Sequence, residues 1–168
     1  MYEFEHNGVC IRPVRGFISE LRKCIPVDAK NFLEWGSGCS TLLFQEIARK
    51  RGGRVLTLDH TPDYLESLST ELDPAVTRWE CLDLIGSSKG QRDPGLNYGT
   101  FPLGVDQTFD FILIDGRRRV ECSVTAHSVS SPHTVTVLHD YRRERYQAMS
   151  VLWDFIDGRQ FRMLKKRC

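Results

Sequence analysis

Apolar side chains at Val14, Phe17, Ile18, Leu21 and Ile25 recur at helical intervals and Pro26 stops the run. The spacing predicts a leading helix over 14–25, within a helical segment 1–28. The period then changes. Residues 31–35 read as a short strand that runs into Gly36-Ser37-Gly38, and Leu42, Leu43, Phe44 and Ile47 give a helix over 41–50 its apolar face. Gly52-Gly53 ends that helix. A second strand is predicted over 54–59, a second helix over 63–72 with Pro62 near its first turn, and a third strand over 76–83. Residues 109–115 form a near-continuous apolar run, the mark of a strand buried on both faces of a parallel sheet. A helix over 118–130 and a strand over 133–140 follow. A helix over 143–157, with Val151, Leu152, Phe155 and Ile156 on one side, and a last strand over 161–166 complete the chain. This alternation implies one α/β domain over 1–168, a doubly wound, mostly parallel sheet with helices on both faces. Residues 84–108 break the rhythm with Gly86, Gly90, Gly95, Gly99, Gly104, Pro94 and Pro102. They read as a long loop, either a lid or a disordered stretch, starting at the carboxyl end of a strand.

Composition narrows the class without naming it. Of 168 residues, 40% are hydrophobic and 27% charged, an ordinary globular balance. Lys plus Arg number 23 against 22 for Asp plus Glu, so bulk charge argues for neither nucleic acid nor an acidic membrane. No run approaches the roughly 18 apolar residues of a membrane span. The start, Met1-Tyr2-Glu3-Phe4-Glu5-His6, has no signal-peptide character. Six scattered cysteines without a Cys-x-x-Cys pair read as reduced thiols, and the expectation is a cytoplasmic protein.

Chemistry collects at the strand ends. Glu34, Asp59, Asp83, Asp115 and Asp140 each close a predicted strand. Any one of them is commonplace as a cap or turn residue. Together they place five carboxylates on the rim where open α/β sheets bind their ligands.

Glu34-Trp35-Gly36-Ser37-Gly38-Cys39-Ser40 resembles the first motif of class I S-adenosylmethionine-dependent methyltransferases, and the likeness extends over roughly 30–145. Within that family, Ile114-Asp115-Gly116-Arg117 and Leu138-His139-Asp140-Tyr141 look most like the small bacterial members. The resemblance implies a Rossmann-like fold and S-adenosylmethionine as cofactor. It also implies a cofactor set of Glu34, Gly36, Ser37, Gly38, Ser40, Asp59, His60, Asp83 and Asp115. In that set the Gly36–Gly38 backbone cradles the methionine half, Asp59 takes the ribose hydroxyls and Asp83 the adenine amine. A dinucleotide-binding domain fits less well. Position 41 is Thr where that fingerprint needs Gly or Ala, and Glu34 would repel a pyrophosphate.

Methyl transfer asks the protein to position an acceptor and, where needed, to remove its proton. His139 is the candidate base, with Asp115 and Asp140 beside it as further catalytic candidates. Asp115 and Asp140 are also the pair that could hold a divalent cation. Tyr141 stands where metal-dependent relatives place a second oxygen ligand, so a metal is not favoured. Arg117, Arg118, Arg119, Arg142, Arg143 and Arg145 suggest a small, anionic, hydroxyl- or amine-bearing acceptor, or else solvated pairing with Glu121 and Glu144. RNA is a weaker explanation, since no aromatic-rich sheet face accompanies the arginines. Two departures from the family stand out. Ser131-Pro132-His133-Thr134 replaces its Pro-Gly-Gly turn. Only 28 residues follow Asp140, room for a helix and one strand rather than a terminal hairpin. A non-catalytic member that binds cofactor or a partner is therefore the alternative reading.

Overall fold

The two most apolar runs become the central strands of a seven-stranded sheet. The computed structural model describes residues 2–84 and 95–167. A hairpin of β1 (Phe4–His6) and β2 (Val9–Ile11) leads into α1 (Phe17–Cys24). The chain then alternates through β3 (Phe32–Trp35), α2 (Cys39–Arg51), β4 (Val55–Asp59), α3 (Pro62–Ser69) and β5 (Thr77–Cys81). A short α4 (Gly95–Thr100) and a 3-10 turn precede β6 (Phe109–Ile114), α5 (Arg119–Val129) and β7 (Ser130–His139). A second 3-10 segment, Glu144–Val151, then leads to β8 (Trp153–Asp157) and β9 (Phe161–Lys166).

The strand order is β5-β4-β3-β6-β7-β9-β8. The first five strands run parallel, and β9 joins β7 and β8 antiparallel. This is the doubly wound α/β sheet expected from the alternation. Side-chain alternation along each strand feeds two cores. Leu33, Trp35, Leu58, Ile112 and Ile114 pack on one face with Cys122 and Ala126 of α5. Phe32, Val55, Phe111 and Val137 pack on the other with Phe44 of α2 and Leu21 of α1. Phe32 and Phe44 stack at 4.9 Å. Each Leu, Ile, Val or Phe among them, once buried, contributes about 1.5–3 kcal/mol of transfer free energy. Among the described residues no helix is long and apolar enough to cross a membrane.

Three elements differ from the sequence expectation. Residues 4–11 form a hairpin, not part of a helical segment. Its turn is Asn7-Gly8, with φ 50° and 72°, the left-handed pair that a tight hairpin demands. Of the long loop, residues 95–104 are helical, and Tyr98 is fully buried against β3 by a Trp35 Nε1 to Tyr98 carbonyl bond of 2.9 Å. The remainder of the lid-or-disorder question, over 85–94, lies outside the described residues. Finally, the helix expected over 143–157 is a 3-10 segment followed by strand β8. Within β8, Trp153 is buried and Phe155 half-buried while Asp154 and Ile156 are exposed, so the period there is two and not 3.6. Pairing of Phe155 with Leu164 and of Ile156 with Met163 overrides the local helical spacing. The terminal hairpin is thus present, and the chain after Asp140 is long enough for it. That removes one of the two departures behind the non-catalytic reading and leaves the Ser131–Thr134 turn.

Candidate functional site

The chain leaves β3 toward β4 and β5, then returns to β6 on the other side of β3. The carboxyl ends of β3 and β6 therefore flank the switch point, where such sheets open a crevice. Gly36 and Gly116 meet there. Gly36 has φ 96°, its N–H donates to the Leu58 carbonyl at 2.8 Å, and a Cβ on it would stand 2.6 Å from Gly116 N. A Cβ on Gly116 would lie 2.0 Å from Tyr98 Oη. The family resemblance implies that the Gly36–Gly38 backbone cradles the methionine half of a cofactor. In the structure Gly36 lines both clefts described below and clears space for the backbone that follows the neighbouring strand. Gly38 is extended, at φ 168°.

Glu34 is fully buried under the first turn of α2. Its carboxyl accepts from the hydroxyls of Ser40, Thr41 (2.5 Å) and Thr57 (2.9 Å). Thr41 Oγ1 in turn accepts from Gly38 N at 2.9 Å, so one side chain caps the helix and ties it to the strand. Glu34 lines the turn from inside, as its scaffold, while Ser40 both bonds Glu34 and lines the second cleft described below. Burial pushes the Glu34 carboxyl from 4.5 up to about 8, and the charge of Asp115 pushes the same way against the three hydroxyls. Between those pH values the folded chain holds a proton that the unfolded chain has released. Stability is then fullest at acid pH and falls as pH rises through about 8, by a few kcal/mol. Glu34→Gln is expected to flatten that fall. Urea unfolding of both proteins at pH 5.5 and 9 checks it, and an equal fall in the variant would show that another group is responsible.

Asp59 is 5% exposed, and backbone N–H groups occupy both of its oxygens. Oδ2 accepts from Ser37 N at 2.9 Å, and Oδ1 from His60 N at 2.7 Å and Thr61 N at 3.0 Å. Of roughly four lone-pair sites on a carboxylate, three are in use. Asp59 thereby staples the glycine turn to the end of β4 and leaves about one lone-pair site open. His60 stands beside it. Its Nδ1 is buried, 3.3 Å from Asp59 Oδ1, and makes no hydrogen bond. On a cleft wall, a buried ring nitrogen without a hydrogen bond is free to meet a polar atom that enters the cleft. The cleft itself measures about 350 Å³, lined by Ser37, Asp59, His60, Tyr64, Asp115 and Gly116 among others. Asp83 is exposed, two residues past β5, and does not line it.

A second cleft, about 250 Å³, adjoins the first and shares Gly36, Ser37, Tyr64 and Asp115 with it. Its far wall carries Phe17 and His139. His139 Nδ1 lies 2.8 Å from Asp115 Oδ1, and the imidazole edge meets the Phe17 ring at 4.9 Å. Arg119 braces the pair. Its guanidinium donates to the carbonyls of Gly116, Asp115 and His139 and to Asp115 Oδ1 at 3.1 Å. The ends of β6 and β7 are thus locked together with carboxylate and imidazole in register.

Asp140 is elsewhere. It is exposed, at φ 51°, pairs with Arg143 at 2.8 Å, and lines neither cleft. The structure therefore does not bring Asp140 to Asp115 as a metal-binding pair. Among the described residues no three His, Cys, Asp or Glu side chains converge as a cation would need. Sequence reasoning missed Tyr64, Tyr98 and Phe17 at the site, and did not single out Arg119 from its neighbours. None of them carries a motif, and Arg119 reaches Asp115 across the non-helical turn between β6 and α5.

Compared by sequence, the chain matches no protein-family model and no curated protein. Compared by structure, it superposes on a methyltransferase-like protein from Silicibacter pomeroyi with a TM-score of 0.73 at 16% identity. That match covers 99% of this chain and 90% of the other. The SAH-bound methyltransferase PaMTH1 from Podospora anserina gives 0.60 at 14% identity, over 90% and 76% of the two chains. A TehB-like SAM-dependent methyltransferase from Corynebacterium glutamicum gives 0.57 at 14%, over 93% and 90%. The strand order, the helices on both faces and these likenesses make the fold that of the class I methyltransferases.

Proposed function

We propose that the protein is an S-adenosylmethionine-dependent methyltransferase acting on a small, anionic acceptor with a hydroxyl or amine nucleophile. One observation carries the reading. A continuous groove at the switch point has an unpartnered buried His60 nitrogen at one end and a His139–Asp115 pair at the other. Its lining fits the cofactor's chemistry, with Asp59 and His60 toward hydroxyls and Ser37, Tyr64 and Asp115 around a cationic centre. Asp83, which follows Leu82, whose N–H donates to the Asp59 carbonyl at 2.8 Å, is the proposed partner of the adenine amine. When bound, the cofactor supplies an electrophilic methyl group on a sulfonium.

The chain's own residues do the rest. With Nδ1–H donating its hydrogen bond to Asp115, His139 keeps Nε2 as the nitrogen that accepts the acceptor's proton. Asp115 steadies the imidazolium that results, and Arg119 keeps Asp115 from swinging away. Phe17 and the β1–β2 strap close the acceptor side and limit water. The class I fold of the neighbours supports this reading, and the terminal hairpin completes the wall beside β7.

Calorimetry with S-adenosylhomocysteine tests it. We expect one site per chain, a melting temperature that rises with ligand, and a loss of about tenfold in affinity for His60→Ala. No binding to the wild-type protein would sink the proposal.

A further inference from the structure

Beyond β6 and β7 lies a third cleft, about 640 Å³, between the start of α5 and the 3-10 segment Glu144–Val151. Arg117, Arg118 and Arg119 form one wall, Arg143, Arg145 and Tyr146 the other. Gly116, Arg117 and Arg119 also line the cofactor groove, so the two spaces are continuous. We propose that this cleft is an anion subsite for a phosphate-monoester group on the acceptor. The methyltransferase reading enters only in calling that anion an acceptor.

Charge makes the case. Five guanidinium groups line one cleft, and the carboxylates that answer them are Asp115 on Arg119, Asp140 on Arg143 and Glu121 near Arg118. Two positive charges remain. A phosphate monoester carries close to two negative charges at neutral pH, whereas a single carboxylate leaves one arginine uncompensated. Folding alone gains nothing from this concentration, because cations at the start of α5 oppose its dipole. A bound dianion turns that cost into charge-assisted hydrogen bonds.

Geometry agrees. Among the described residues neither Arg117 nor Arg145 meets a carboxylate. Arg145 lies over the Tyr146 ring at 5.1 Å and donates to its hydroxyl at 3.3 Å. Tyr146 is itself buried, with Arg119 over the ring at 5.8 Å. A fixed aromatic floor holds the Arg145 fork in place before the ligand arrives, which lowers the entropy cost of bidentate contact. A strand of RNA needs an extended basic track with exposed rings for stacking. Here the track is one cleft and its ring is covered by arginines.

The test uses the full-length protein, with and without S-adenosylhomocysteine, titrated calorimetrically with inorganic phosphate and then with a single-stranded RNA oligomer. Phosphate is expected to bind one site, Arg145→Ala to weaken it about tenfold, and Arg145→Lys to recover only part of the loss. S-adenosylhomocysteine affinity stays unchanged in Arg145→Ala. Should that variant melt early, Arg117→Gln on the opposite wall carries the same expectation for phosphate. Phosphate binding that is absent, or indifferent to both substitutions, overturns the subsite. RNA binding that displaces phosphate with a steep salt dependence overturns it in favour of nucleic acid. Arginine-dependent phosphate binding without any S-adenosylhomocysteine binding keeps the anion site and discards the methyltransferase reading.

Discussion

His139→Ala is expected to lower turnover by about 10²–10⁴-fold, the range a positioned general base supplies, on any acceptor the wild-type protein methylates. Affinity for S-adenosylhomocysteine should change less than about twofold, since His139 lines only the cleft on the Phe17 side and not the one holding Asp59 and His60. The split between turnover and cofactor binding is the informative readout. A structural role would move both, because the ring packs between Phe17 at 4.9 Å and Phe161 at 5.2 Å. Asp115→Asn sharpens the point. The amide keeps the size of the carboxylate but cannot stabilise an imidazolium, and it weakens the hold of Arg119 on the pair. Its turnover should fall nearly as far as that of His139→Ala, and the double variant should fall little further, as residues acting as one unit do. Turnover of His139→Ala within about threefold of wild type would show that the acceptor arrives already deprotonated or loses its proton elsewhere.

What was legible beforehand follows the physics of each signal. The sheet was readable because strands buried on both faces leave continuous apolar runs, as at 109–114. Of the five acids read at strand ends, only Asp59 and Asp115 line the groove. The Asp115–His139 pair was foreseen as two candidates near one edge, but their contact is tertiary. It depends on the parallel register of Ile114 beside Leu138, which no local pattern encodes. Asn7-Gly8 was a local signal that went unused, since a tight left-handed turn is what that dipeptide favours. The segment 143–157 misled for the opposite reason. Its apolar spacing fits a helix as well as a strand, and only pairing with β9 decides. Glu34 shows a subtler failure. A carboxylate near a cofactor motif suggests ligand contact, yet the pleat turns this one inward. Side chains of β3 alternate, so with Trp35 on the α5 face, Glu34 must lie under α2 among hydroxyls.

The two motif glycines, alike in sequence, should respond very differently to alanine. At Gly36 the backbone sits at φ 96°, where an L side chain is strained whatever the space. Space is also lacking, since the new Cβ would press the backbone of Asp115 and Gly116 at 2.6–2.9 Å. Relief requires β3 and β6 to part at their carboxyl ends, which breaks the Asp115 N to Trp35 carbonyl bond of 2.9 Å and widens the groove on both sides. We expect Gly36→Ala to cost about 3–5 kcal/mol, a fall of roughly 10 °C or more in melting temperature for a chain of this size. Gly38 is extended, and its Cβ would meet only Tyr64 Oη, at 3.3 Å, the tip of a side chain that can give way. Gly38→Ala should therefore melt within a few degrees of wild type, at a cost of about 1 kcal/mol or less. If both variants melted alike, the close approach of Gly36 to Gly116 would not be what holds the switch point shut. If Gly36→Ala alone collapsed, the first glycine of the motif would be explained by the meeting of two strands, and the cofactor would be a guest in a crevice that the backbone had already built.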